Sequence, residues 1–195
     1  MVGVVEVEVG LGAQVCSHLN IVAFYDNAFK EDSLQQGSNP DDVIDQIFNL
    51  VSEFFIDNSL DTKFHLRLLK KIHKSGVNWN NAKSNATVNS LKQVNFYSEE
   101  EANIYAYLGS MNTDDTILGK VPNNGKCFSN NKTCFGVCSN ERYERTFVVE
   151  CDIANLQKTA YIITHEIGHL LGLPHDFFDT NEHVQIRQAR QSMVN

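Results

Sequence analysis

Residues 165–176 read HEIGHLLGLPHD, placing three of the chain's seven histidines within twelve residues and a glutamate beside the first. His165 and His169 are four positions apart, the spacing that sets two side chains one turn above the other on a single helix face. Both imidazoles can then reach one point. Zinc takes imidazole nitrogen at about 2.0–2.1 Å in a tetrahedral arrangement, so the pair supplies two corners of a site. Gly172 and Pro174 follow. Glycine accepts the left-handed backbone that ends a helix, and proline cannot continue one. The chain can turn back there and carry His175 to the same ion. Three neutral histidines leave one zinc position open to water, the pattern of a catalytic rather than a structural metal. Glu166 points roughly 100° around the helix from His165, so it stands beside the ion instead of binding it. A carboxylate there can take a proton from the metal-acidified water and pass it to a leaving amine. An apolar helix with incidental histidines is the plain alternative, but it leaves the glycine and the third histidine without a reason.

These residues need a helix and a sheet to position them. Residues 154–171 carry apolar side chains at 156, 160, 163, 167, 170 and 171, which predicts a helix ending just before Gly172. Residues 41–55 carry Val43, Ile44, Ile47, Phe48, Val51, Phe54 and Phe55, the apolar face of a second long helix starting at Pro40 and Asp41. Strands are predicted at 4–9, 19–25, 64–72, 116–121 and 147–150, a short helix at 99–108, and loops at 30–40 and 78–95. Strands alternating with helices imply an α/β fold with one sheet.

At 195 residues the chain is long enough for a single domain with its own core, and 42% hydrophobic with 21% charged residues is ordinary for a globular protein. A net charge of −8 argues against nucleic acid and against anionic membranes as partners. The valine–glutamate alternation of the first ten residues is neither a secretory signal nor a span. Cys127, Cys134, Cys138 and Cys151 crowd into 25 residues while Cys16 stands apart. Such crowding points to disulfides or a metal site, and the odd total of five leaves one thiol over. Sequons at Asn85 and Asn131 agree with an extracellular setting. His18, His65, His73 and His183 lack ligand spacing and read as surface or packing residues.

The stretch 165–176 resembles the HExxHxxGxxH pattern of the metzincin metalloproteases, and Asp176 after the third histidine resembles the adamalysin (reprolysin) branch. DTILGKVPNNGKC at 115–127 looks like that branch's substrate-binding edge strand, and DVIDQIFNLVSEFF at 42–55 like its first long helix. The resemblance implies a zincin-like fold, a mixed and mostly parallel twisted sheet packed on two long helices. It further implies one catalytic Zn2+ on His165, His169 and His175, Glu166 as general base, and Gly172 and Asp176 as structural residues at the site. Met193, eighteen residues after His175, would form the methionine turn beneath the metal. A protein or peptide substrate would pair as an extended strand with Ile117, Leu118, Gly119, Lys120 and Val121. The expected enzyme is a secreted, monomeric zinc endopeptidase.

By the same resemblance the chain lacks a leader and prodomain and stops just after the methionine turn, and Cys127 would pair with a cysteine beyond residue 195. A calcium site is also known in such proteins, but Asp41-Asp42, residues 99–101 and Asp114-Asp115 read as solvated faces and helix starts rather than as Ca2+ ligands. Two other readings stand beside the enzyme. One is a binding protein that keeps the zinc without turnover. The other is a structural zinc domain closed by Asp176 or a cysteine. The ligand assignment has a direct check. Zinc should bind at about one equivalent in equilibrium dialysis, and His175→Ala should weaken it sharply, since a two-histidine site lacks the third corner. Unchanged affinity in that variant would refute the three-histidine site.

Overall fold

The computed structural model describes residues 17–56, 64–75, 101–110, 119–121, 127–128, 133–134 and 142–171. A five-stranded sheet runs in the order β2-β1-β3-β7-β4, with β1 Ser17–Tyr25, β2 Phe64–His73, β3 Ile104–Ser110, β4 Gly119–Lys120 and β7 Thr146–Cys151. The first four strands in that order are mutually parallel, and β4 closes one edge antiparallel to β7, Gly119 opposite Val149 and Lys120 opposite Val148. A separate two-residue ribbon pairs β5 Cys127–Phe128 with β6 Thr133–Cys134. Three α-helices are described: α1 Asn27–Gln35, α2 Pro40–Phe55 and α3 Leu156–Leu170. This is the expected α/β class. No described helix is long and apolar enough to cross a membrane.

The core explains the strand order. Leu19, Ile21 and Ala23 of β1, Ile104, Ala106 and Leu108 of β3, and Phe147 and Val149 of β7 share one buried cluster with α2 and α3. Val22 and Phe24, Tyr105 and Tyr107, and Val148 form a second cluster. Alternate residues of each strand thus enter different clusters, and a strand buried on both faces reads as a continuous apolar run. β2 alternates between half-buried and exposed positions, as an edge strand does.

Two sequence expectations fail. Residues 99–108 were expected to be helical, yet Ile104–Ser110 is a central strand whose Ile104, Tyr105, Ala106, Tyr107 and Leu108 are all fully buried. A strand covered on both sides has no period-two alternation, and alanine and leucine are good helix formers, so local pattern misleads. Residues 30–40 were expected to be a loop, yet α1 occupies Asn27–Gln35. This helix has little apolar periodicity. Its caps and Phe29, fully buried, hold it in place. The Asp26 carboxylate accepts the Phe29 backbone N–H at 2.8 Å. At the other end Ser38 N–H donates to Ser33 C=O at 2.9 Å and Gly37 N–H to Leu34 C=O at 3.0 Å. This is a Schellman turn, and it requires the positive φ of 74° that Gly37 supplies. The strand expected at 4–9 and the loop expected at 78–95 lie outside the described residues.

Asp26 caps α1 at the end of β1 while almost fully buried, at 3% exposure. Burial pushes its carboxyl from the ordinary 3.8 up to about 6; the backbone N–H groups of Phe29 and Ala28 pull it down, and Asp32 adds a small upward push. The native state therefore holds the Asp26 proton more tightly than the unfolded chain does. That contribution to stability is complete below about pH 4 and is lost as pH rises through about 6. Asp26→Asn keeps a cap acceptor and carries no charge. Its stability relative to wild type in urea denaturation should rise between pH 4 and pH 7, and a difference independent of pH would show that the carboxyl is not desolvated.

Candidate metal centre

Helix α3 is clipped to the end of β7 before it carries anything. Asp152, directly after β7, donates its backbone N–H to Thr159 Oγ1 at 2.8 Å, and the same hydroxyl donates to Asp152 C=O at 3.1 Å. Asn155 caps the helix by accepting the Lys158 N–H at 3.1 Å, and Lys158 Nζ meets the Asp152 carboxylate at 3.0 Å. Ala160, Ile163, Ile167 and Leu170 are then buried in the cluster shared with α2 and the sheet. At the far end Leu171 N–H donates to both Ile167 C=O at 2.9 Å and Gly168 C=O at 3.1 Å, tightening the last turn.

With that face fixed inward, the candidate ligands fall on the helix flank. His165 is half-buried and His169 is 7% exposed. Their Nε2 atoms lie 3.0 Å apart, and the rings meet edge to face with centroids 4.5 Å apart. Two nitrogens bound to one tetrahedral zinc would be about 3.3 Å apart, given Zn–N distances near 2.05 Å. The pair therefore fits a shared ion with a small ring adjustment, and its donors are of the type zinc prefers. Among the described residues no set of three His, Cys, Asp or Glu side chains is grouped to hold a metal. His175, the third expected ligand, lies outside the described residues, as do Gly172, Asp176 and Met193.

Glu166 is buried at 5% exposure between the histidine flank and the core face. Burial pushes its carboxyl up to about 8. A cation held by the two histidines would favour the charged form and draw that value back down. The carboxyl lies against β4. A Cβ built on Gly119 would stand 2.5 Å from Glu166 Oε1 and 2.9 Å from both Cδ and Cγ. Of the strand expected at 116–121, Gly119 and Lys120 form β4 at the sheet edge, beside the glutamate. Val121 is 2% exposed in the main core, so its side chain is not offered to a peptide. Ile117 and Leu118 lie outside the described residues.

The remaining chemistry-bearing residues are accounted for in part. His18 and His65 are opposite each other on β1 and β2 and stack at 5.4 Å. His73 stacks on Tyr25 and meets Asn27 Oδ1 at 2.8 Å. These three are surface or packing groups, as expected; His183 lies outside the described residues. Cys151, grouped by sequence with the disulfide or metal candidates, is a buried free thiol in the main core, and burial pushes its pKa well up. Cys127 and Cys134 are register partners across the β5–β6 ribbon; Cys16 and Cys138 lie outside the described residues. Asp41 accepts from Tyr25 Oη at 3.1 Å and Glu101 pairs with Arg145 at 2.6 Å, while residues 99–100 and 114–115 lie outside the described residues. Two features of the site went unread in the sequence. The Thr159 clip showed only as a polar residue on an apolar helix face, and the approach of Gly119 to Glu166 had no local signal.

Helix α3 thus presents two convergent imidazoles and a buried acid beside a sheet edge. Comparison with protein families matches residues 16–192 to "Metallo-peptidase family M12". The chain belongs to that family. Comparison with curated proteins gave no match. Among solved structures, one titled "Structure of a chaperone-substrate complex" is similar over 80% of this chain and 23% of that one, with 15% identity and a TM-score of 0.44. The chain thus spans less than a quarter of that protein's length, and a likeness this slight carries no argument.

The helix anchor is testable without the metal. Thr159→Val keeps the shape but leaves the Asp152 N–H without its acceptor, while the Asp152 C=O keeps the Asn155 N–H at 3.0 Å. Leaving buried polar groups unpaired costs about 1–3 kcal/mol, so the midpoint of urea denaturation should fall by that equivalent. No change would mean that α3 is held by its apolar face alone.

Proposed function

We propose that the chain is a zinc-dependent endopeptidase of the adamalysin branch of the metzincins, with a zincin-like fold. The observation that carries the reading is the 3.0 Å convergence of His165 and His169 Nε2 on the helix flank beside a buried Glu166. Membership of a metallopeptidase family over residues 16–192 supports it, as does the sequence 165–176, which adds His175 as a third donor. Zinc, when bound, supplies Lewis acidity that brings the pKa of a water from about 15.7 towards about 7.

The protein's own groups do the rest. His165, His169 and His175 hold the ion as neutral donors. The Glu166 carboxylate accepts a proton from the attacking water and returns it to the nitrogen of the leaving amine as the peptide C–N bond breaks. Burial keeps competing water away from that carboxyl and fixes its orientation. An extended peptide adds to the edge at β4, its main chain hydrogen-bonding to the strand. The protein is read as secreted, in keeping with its sequons, and as a monomer; by the family pattern Gly172 and Asp176 would shape the turn to His175, and Met193 would form the methionine turn.

Glu166→Gln separates enzyme from zinc-holding shell. It keeps size and shape but cannot accept the proton, and loss of a general base costs about 10²–10⁴-fold in rate. Zinc content by elemental analysis should be unchanged while cleavage of a denatured protein substrate at neutral pH falls by that factor. Equal rates for variant and wild type would sink the assigned role of Glu166, and a zinc-loaded wild type that cleaves nothing would leave a binding protein.

A further inference from the structure

We propose that Gly119 is a positioning residue for Glu166: the missing side chain at this point of the edge strand sets where the carboxylate rests. The inference rests on the reading of Glu166 as proton acceptor and extends it to a second residue. Glycine weakens a strand, so its presence in β4 asks for a reason, and close approach of another group is a common one. Backbone conformation is not the reason. Gly37 is the described glycine with positive φ, and Gly119 lies outside that region.

The steric reason is direct. An alanine Cβ at 119 would lie 2.5 Å from Glu166 Oε1, 2.9 Å from Cδ and 2.9 Å from Cγ, all inside the 3.0 Å that real Cβ contacts essentially never cross. An overlap with Oε1 alone would be relieved by a swing of the carboxyl. Overlap with Cγ is not, because Cγ moves only if χ1 changes, and a helix leaves few χ1 wells open. Nor is there free solvent to swing into, since Glu166 is 5% exposed. β4 is itself fixed by its pairing with Val148 and Val149 of β7, and α3 by its buried face. Neither backbone can yield cheaply, so the displaced element is the Glu166 side chain. Gly119 thus leaves the space in which the Glu166 carboxyl rests, while its main chain stays on the sheet edge where a peptide would pair.

The contact is tested first on the metal-free chain by a stability cycle. Gly119→Ala should lower the folding equilibrium constant on the order of tenfold in the wild-type background and have little effect in a Glu166→Ala background. The same loss in both backgrounds, or failure to fold in both, would overturn the proposal. The second arm uses the zinc-loaded protein. Gly119→Ala should retain zinc and KM but lose about 10²-fold in kcat, as misplacing a reacting group by an ångström does. Glu166→Ala removes Cγ, Cδ and Oε1 together and with them the overlap, so Gly119→Ala/Glu166→Ala should be no slower than Glu166→Ala alone. A raised KM with intact kcat, or simple multiplication of the two losses, would assign Gly119 to strand pairing only and defeat the proposal. If the wild type cleaves nothing, the proposed function falls, and the metal-free cycle still decides whether Gly119 places Glu166.

Discussion

The structure depends on one packing constraint, the burial of a single face of α3 between α2 and the sheet. Ala160, Ile163, Ile167 and Leu170 fix the rotation of this helix about its axis. Each further residue is then turned by about 100°, so the neighbours of those side chains have no choice of direction. Glu166 falls at the margin of the buried face, and His165 and His169 fall on the flank. Burying Ile163, Ile167 and Leu170 is worth several kcal/mol at about 1.5–3 kcal/mol each, well above what two partly exposed imidazoles could gain by pointing elsewhere. The orientation of the polar groups therefore follows from the apolar ones.

The same constraint explains the unusual state of Glu166. A carboxyl at the rim of a core is desolvated by its position, and nothing in the apolar packing compensates it. Such a group is costly in a purely structural helix. Beside two convergent imidazoles it becomes intelligible, because a divalent ion shared by those rings would stabilise the charge that burial disfavours. The free thiol of Cys151 shows the contrasting case. It too is buried and raised in pKa, but it lies within the apolar cluster as a small packing group and has no such neighbour role.

The sheet contributes a border as well as a platform. Four parallel strands bury both their faces or lie at the β2 edge, and the chain then reverses direction at β4. This antiparallel edge runs beside the glutamate rather than elsewhere because α3 packs on β7, the strand that β4 pairs with. One set of contacts thus brings together the helix that carries the histidines and the strand edge that lies next to them. The Asp152–Thr159 clip sits at the hinge of that arrangement, where β7 passes into α3.

Much of this was legible in the amino-acid order. The four-residue spacing of His165 and His169 fixes their shared face in any α-helix, and the apolar periods at 43–55 and 156–170 locate α2 and α3, because both are local regularities of a 3.6-residue turn. The strands at 19–25, 64–72 and 147–150 were likewise legible from short apolar or alternating runs. Within the helix expected at 99–108, residues 104–108 are strand instead, since a strand covered on both sides loses its alternation and its burial is conferred by neighbours distant in sequence. Helix α1 was missed because its stability comes from the Asp26 cap, the Gly37 turn and one buried phenylalanine rather than from a periodic face. Only the tertiary structure could set Gly119 against Glu166: the two are 47 positions apart, and no local rule relates them. Their meeting is decided by strand order and helix packing, which depend on how the whole chain buries its apolar surface at once.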